Sequence, residues 1–403
     1  MKQLRVFWVL CLVFVGISVK IQAQTFSEIL PYFSADSIGR TIRDLEAFGN
    51  RYCDEGDGNR DVAEYIVRRL QNYGVENAVV DSFYLNLNTG WLPVISRYCY
   101  NVKGTILGSQ VPDSVVVIGA HLDAISLENW TLQAQAPGAD DNASGVAVML
   151  EIARIINQFD LTPRYSICFV GFDAEEVGLR GAGYDVEQRY QNDEKIVAML
   201  NNDMVANQPE DMPYMLTLHW YDNATDLADF ASSICEHFTS ITAHIPQAED
   251  NLLRQNSDSW AYAQYGYRAI FAIEYYFSDY YHTVNDVLEH CNLDFAKEVA
   301  KMNFGMLYSM VFGDIWNAQT SIENIQPEVQ IYPNPTANMV YVRNQSGQAK
   351  MQVSFYDMLG RSIVKLNTAE NVISFNMSDL DCGVYFAEIL VDGRKITRKI
   401  IKK

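Results

Sequence analysis

The stretch SVVVIGAHLDA, residues 114–124, is apolar for seven positions and then presents His121 and Asp123. A strand with one solvated face would alternate polar and apolar residues. An unbroken apolar run reads as a strand buried on both faces, the mark of a parallel sheet covered by helices. The flanking sequence repeats the signal. Strand-like runs RYSICFVGF (164–172), KIVAMLNND (195–203) and GYRAIFAIEYYF (266–277) alternate with helix-like runs. Those helical runs are DVAEYIVRRLQNYG (61–74), SGVAVMLEIARIINQF (144–159), NATDLADFASSICEHF (223–238) and DFAKEVAKMNFGMLYSMVFGDIW (294–316). The expectation is an α/β fold, a mostly parallel sheet with helices on both faces.

Composition bounds what this fold can serve. The 403 residues are 49% hydrophobic and 20% charged, a globular composition with material for a sizeable core. The formal net charge of -20 argues against nucleic acid as a partner. Both ends of the chain are net positive, so the negative charge is concentrated in residues 24–319. Lys2 and Arg5 precede the apolar run VFWVLCLVFVGISV, with Ala23 as a cleavage point. Residues 1–23 therefore read as a signal peptide, and no other stretch is apolar enough to span a bilayer as a helix. A secreted or cell-surface destination follows. Cys11 lies in the leader. The remaining cysteines, 53, 99, 168, 235, 291 and 382, contain no CxxC pair, which argues against a thiolate zinc site. Cys168 lies inside a strand pattern and reads as a free core residue.

A polar stretch, NAQTSIENIQPE (317–328), breaks the α/β pattern and reads as a linker. It bounds a domain over 24–316. Residues 329–403 then run as short β-rich segments separated by turns, the pattern of a small β-sandwich.

Metal-binding side chains recur where the strands end. His121 and Asp123 follow the first, Glu175 and Glu176 the second, Asp203 the third and His282 the fourth, and Asp141 sits in a Gly-rich loop before a helix. Open α/β sheets bind ligands at the carboxyl ends of their strands. Each residue alone has an ordinary reading as surface charge, turn or core histidine; the joint placement is what points to a crevice. Two imidazoles and three carboxylates can hold two zinc ions if one carboxylate bridges. One ion would take His121 and Asp203, the other Glu176 and His282. Ions about 3.5–4 Å apart activate water near neutral pH. Glu175, beside a ligand, is then free to act as general base, and Asp123 to orient His121.

The motifs GAHLDA, APGADDNASGVA, FDAEEVGLRGA, LNNDM and YHTVNDV, in this order, resemble the M28 family of co-catalytic zinc aminopeptidases. The resemblance implies His121, Asp141, Glu176, Asp203 and His282 as ligands of two zinc ions, Asp141 as the bridge, Glu175 as general base and Asp123 as partner of His121. It implies a peptide or protein substrate with a free N-terminus. The family's SDH reads SDSW here, residues 257–260, and no role is carried over to it. YPNP, FYDMLGR, GVYFAEI and KITRKIIKK near the chain end are similar to the C-terminal sorting domain of the Bacteroidetes type IX secretion system. That implies the export machinery as a partner.

Two other readings compete. Glutaminyl cyclases resemble this family but use a single zinc; the intact His121 and Asp123 argue for a second metal site. Alternatively, DDNASGVAVMLE (140–151) satisfies the spacing of an EF-hand calcium loop, which would make a non-enzymatic surface protein. Pro137 and Gly138 break the incoming helix that an EF-hand requires, and Glu151 falls two turns into an apolar helix.

Overall fold

The computed structural model describes residues 25–88, 90, 94–313, 329–344, 351–357, 361–368, 370–391 and 394–403. The leader (1–23) and the linker (317–328) lie outside them. The chain divides into two compact units, Met1–Ala318 and Gln319–Lys403. No helix among the described residues is long and apolar enough to cross a membrane.

The larger unit is built on one eight-stranded sheet. Its strands are β1 (Val79–Leu87), β2 (Ile95–Ile106), β3 (Val111–His121), β6 (Tyr165–Phe172), β7 (Lys195–Asn202), β8 (Met215–Trp220), β9 (Thr242–His244) and β10 (Ala269–Glu274). A two-residue-per-strand hairpin, β4 (Leu127–Glu128) with β5 (Thr131–Leu132), stands apart. Across the sheet the order is β1-β2-β6-β3-β7-β10-β8-β9. The four central strands β6, β3, β7 and β10 are mutually parallel. β1 and β2 form an antiparallel edge, and β8 runs against β10.

The helices are α1 (Phe26–Ile29), α2 (Ala35–Glu46), α3 (Arg60–Asn72), α4 (Gly145–Gln158), α5 (Arg180–Gln191), α6 (Thr225–Phe238), α7 (Ser259–Gln264) and α8 (Leu293–Val311). Their placement explains the unbroken apolar run of β3. Val116, Ile118 and Ala120 point into a core shared with α2, α4, α6 and α8. Val115 and Val117 point the other way, against Ala182 and Val186 of α5 and Tyr262 of α7. With helices on both faces, alternate side chains are all buried, so the strand has no polar face.

From β3 the chain goes first to β6 on one side and then to β7 on the other. The carboxyl ends of the central strands therefore open a crevice at this reversal of order. Beyond its strand, β10 gives way at Tyr275 to the loop carrying His282; the sequence pattern runs on to 277, where Phe277 lines a pocket. The closing helix likewise ends at Val311.

The described cysteines, 53, 99, 168, 235, 291 and 382, are free thiols. Cys168 is buried in β6, where it accepts a hydrogen bond from Arg189 Nη2 at 3.2 Å.

The second unit is all β. A three-stranded antiparallel sheet joins β11 (Val329–Tyr332), β12 (Met339–Asn344) and β15 (Val372–Asn376). A four-stranded one joins β13 (Met351–Asp357), β14 (Ser362–Thr368), β16 (Gly383–Val391) and β17 (Arg394–Lys402). Val340 and Val342 of the first sheet share a core with Val353, Phe355 and Ile389 of the second. Two sheets around one apolar core make a β-sandwich.

Candidate metal centre

The crevice gathers side chains from five segments. His121 ends β3, Asp203 follows β7, Glu175 and Glu176 follow β6, Asp141 lies in the turn before α4, and His282 lies in the loop after β10. The Asp141 turn passes so close to β7 that only glycine fits at its exit: a Cβ on Gly145 would lie 2.3 Å from the Asn202 carbonyl oxygen. Asn142 fixes this approach by donating to that carbonyl at 2.8 Å and accepting from the Gly145 amide at 2.9 Å.

Asp141 stands between the two histidines. Its Oδ1 is 3.1 Å from His121 Nε2, and its Oδ2 is 3.2 Å from His282 Nε2. On one side His121 Nε2 is also 3.2 Å from Asp203 Oδ1. On the other, His282 Nε2 is 2.8 Å from Glu176 Oε2. Two groups of potential ligand atoms thus share Asp141: His121 with Asp203, and Glu176 with His282.

The donor set fits zinc. Nitrogen and oxygen ligands at about 2.0–2.2 Å from a tetrahedral ion lie about 3.3 Å from each other, the spacing found here. His282 Nε2, although close to two carboxylates, is aligned with neither as a hydrogen bond, and the buried Glu176 Oε1 also lacks a hydrogen-bond partner. Unaligned, converging lone pairs are what a cation would occupy.

The charges say the same. Burial pushes the Glu176 carboxyl up to about 7, with Asp141 adding repulsion. Burial also drives Glu175 well above its ordinary range, opposed by His121 and reinforced by Glu176 and Asp203. His282 is lifted to about 10: burial disfavours its cationic form, but Glu176 and Asp141 outweigh that. The same carboxylate–imidazole balance holds Asp141 below the ordinary range despite its burial. Metal-free, the cluster has an excess of negative charge that only cations relieve.

Around the ligands lies a shell that fixes them. The Asp123 carbonyl is 3.1 Å from His121 Nδ1, and its carboxylate oxygens accept the Glu175 and Glu176 amides at 3.0 and 3.2 Å. Asp123 therefore holds both the imidazole and the loop after β6. Ala174, Met204 and His282 take positive φ of 58°, 55° and 56°, which places left-handed backbone beside three of the strand-end sites. Non-glycine residues there carry strain that the surroundings must hold in place. The His282 ring is stacked on Tyr281 with centroids 3.7 Å apart, and its carbonyl accepts the Leu127 amide at 2.9 Å.

Several residues of this shell are not singled out by the sequence reading. Asp286 accepts the amides of Asp140 and Asp141 at 2.8 and 3.0 Å. Ser257, within the departed SDSW motif, donates to Asp203 Oδ2 at 2.5 Å. Its neighbour Asp258 is fully buried with both carboxylate oxygens unpartnered. Asp140 accepts the Ala206 amide at 2.8 Å. Asp286 lies in YHTVNDV, four residues after His282, Asp140 in APGADDNASGVA and Ser257 and Asp258 in SDSW, but the sequence alone assigns them no role. Glu151, the last position of the EF-hand pattern, points elsewhere: it accepts the Ser34 amide at 2.8 Å and pairs with Arg154.

The centre opens into a pocket. Beyond the ligands and Glu175 its wall is mostly apolar, with Met204, Phe271, Ile273, Leu253, Phe277 and Tyr281 beside the polar Asn256.

A covered α/β sheet with imidazoles and carboxylates converging at its carboxyl edge defines a metallohydrolase architecture. The chain belongs to peptidase family M28, whose model matches residues 101–307. Residues 330–403 match the secretion system C-terminal sorting domain. A probable leucine aminopeptidase of Arthroderma otae is 28% identical over 297 residues, 71% of this chain and 75% of that one. A probable zinc metalloprotease of Pyrenophora teres f. teres is 33% identical over 211 residues, 50% of this chain but only 45% of that one. Among solved structures, the aminopeptidase from Aneurinibacillus sp. strain AM-1 aligns with a TM-score of 0.58 at 16% identity, covering 75% of this chain and 99% of that one. Bacteroides thetaiotaomicron glutaminyl cyclase aligns with a TM-score of 0.56 at 19% identity, covering 68% and 98%. At such identities these two share the fold.

Proposed function

We propose that the protein is an exported aminopeptidase using two zinc ions, with Asp141 bridging them. His121 and Asp203 complete one site, and Glu176 and His282 the other. The observation that carries this reading is the placement of the two Asp141 oxygens, each against a different histidine. Two zinc ions held there would polarise the scissile carbonyl and activate the attacking water.

The chain's own groups do the rest. Glu175 lines the pocket beside both half-sites, and its raised affinity for a proton suits a group that takes one from water and hands it to the leaving amine. Asp123 holds Glu175 by its amide and so keeps its carboxylate on the pocket side. The surplus of carboxylates favours a substrate with a free ammonium. Met204, Phe271 and Ile273 offer an apolar surface for the first side chain, so bulky aliphatic or aromatic residues are the preferred substrates. The sorting-domain tail supports export to the cell surface or the extracellular space.

The test is hydrolysis of amino-acid p-nitroanilides by protein of measured metal content. Leucyl and phenylalanyl substrates should be cleaved, N-acetylated ones spared, and chelation should abolish the rate until zinc is restored. Activity that survives zinc removal would overturn the mechanism. One zinc per fully active chain, with cyclisation of N-terminal glutamine, would instead favour the cyclase reading, against which the complete His121–Asp203 half-site stands.

A further inference from the structure

The molecule buries one arginine completely within reach of the metal centre. Arg51 has no exposed surface, yet none of its four hydrogen bonds goes to a carboxylate. All four acceptors are backbone carbonyls. Nε donates to Leu122 at 2.9 Å, the residue between His121 and Asp123. Nη2 donates to Gly138 at 2.8 Å and Nη1 to Pro137, both in the segment leading into the Asp141 turn. Nη1 also reaches Leu45 at 3.2 Å, near the end of α2.

The main chain around Arg51 repeats the connection. The Arg51 carbonyl accepts the Ala124 amide at 3.1 Å, immediately after Asp123. One residue earlier Asn50 forms a bridge to Ala136, and the Ala136 amide donates to Gly49 at 2.9 Å. Residues 49–51 thus lie between the end of β3 and the Asp141 segment and bond to both. Gly138 has φ of 54°, and a Cβ there would come within 2.8 Å of Arg51 Nη2. That Cβ would also collide with Ala124 Cβ and the Asp141 carbonyl oxygen, so the segment after β3, the Asp141 turn and the guanidinium together leave no room for a side chain at position 138.

We infer that Arg51 is a positioning residue: its guanidinium clamps the backbone carrying His121 to the backbone carrying Asp141, fixing the shared carboxylate against the His121 half-site. The inference rests on the two-zinc reading. A planar fork with five N–H donors can serve four carbonyls at once, which a lysine ammonium cannot. The positive charge is a second contribution. Burial lowers the guanidinium to about 10, opposed by Asp286, Asp123, Asp141 and Glu176, so it is cationic at neutral pH and tempers the repulsion among these carboxylates. No contact of Arg51 with substrate is involved.

The experiment titrates Zn2+ into chelator-treated full-length protein, for wild type, R51K and R51M, alongside kinetics and thermal melts. Wild type should bind two ions. R51K keeps the charge but not the fork, and R51M keeps the bulk but neither. In both, the first ion should bind within about threefold of wild type, and the second should weaken by about 10–100-fold, the range seen when support of metal ligands is removed. kcat should fall by about the same factor, while KM for a leucyl p-nitroanilide changes less than about threefold. R51K should lie between wild type and R51M. Isotherms and kcat indistinguishable from wild type in R51M would overturn the clamp. So would failure of both variants to fold, which would assign Arg51 to global stability alone. Wild type that binds only one ion would overturn the two-zinc reading itself, a result separable from either.

Discussion

Glu175 and Glu176 are adjacent in sequence and differ in what surrounds them. Glu176 lies 2.8 Å from His282, while Glu175 lines the pocket and is held by its backbone, the amide donating to Asp123 and the carbonyl accepting the Gly178 and Leu179 amides. Consecutive residues outside a helix point apart, so one can ligate while the other faces substrate. Substituting Glu175→Gln preserves shape and removes the proton acceptor. The expected outcome is a fall in kcat of about 10²–10⁴-fold with zinc content unchanged, read by steady-state kinetics and metal analysis on one preparation. Loss of zinc together with activity would instead make Glu175 a ligand. Ser257→Ala removes the donor to Asp203 Oδ2. It should weaken zinc affinity by about tenfold in competition with a chromophoric chelator, without unfolding the chain. The sequence made the ligands legible because His, Asp and Glu stood out at the ends of apolar strands. Ser257 and Arg51 were not legible, because a serine beside a helix start and an arginine after a loop carry no periodic signal. Their importance arises only when the chain brings residues 54 and 71 positions apart into contact.

At the level of elements, the Asp141 turn depends on a loop more than a hundred residues away. Asp286 accepts two successive amides from it, although burial and Asp140 push the Asp286 carboxyl well above its ordinary range. Asp286→Ala leaves both amides buried without an acceptor. Each unsatisfied group costs about 1–3 kcal/mol, reduced here because a costly buried carboxylate is also removed. A net loss of about 1–3 kcal/mol, measured by denaturant unfolding of the metal-free protein, is expected. A loss of zinc affinity should accompany it. No loss in either would show that the turn holds itself. The four central strands were readable for the reason given for β3: covered on both faces, they are apolar throughout. The β1–β2 edge was not. Tyr84 and Tyr98 are exposed while Phe83 and Cys99 are buried, so these strands alternate and carry no continuous apolar run. α5 escaped for a related reason, with only a few apolar residues among its charged ones.

For the whole molecule, the second unit has its own core, and no residue of the described metal centre comes from it. Ending the chain at residue 316 should therefore leave kcat on leucyl p-nitroanilide within about twofold while abolishing surface export in a host that secretes the full chain. The peptidase unit in turn carries a pH dependence that zinc should mask. In metal-free protein Glu176 moves from an ordinary 4.5 up to about 7, and His282 from 6.5 up to about 10. Both folded-state values lie above the unfolded ones, so both groups stabilise the fold when protonated. That contribution is complete below the unfolded values and disappears as pH rises, through about 7 for Glu176 and about 10 for His282. Asp141, depressed in the fold, acts only in acid below 3.8, outside this window. The metal-free protein should then melt at progressively lower temperature from pH 6 to pH 9. Bound zinc requires these ligands deprotonated and stabilises by mass action, more strongly as protons stop competing. The gap in melting temperature between zinc-loaded and metal-free protein should accordingly widen over the same range. Differential scanning fluorimetry at pH 6, 7.5 and 9 reads both. A metal-free melting temperature that stays level or rises toward pH 9 would mean that the buried carboxylate–imidazole cluster does not govern the stability of the empty centre.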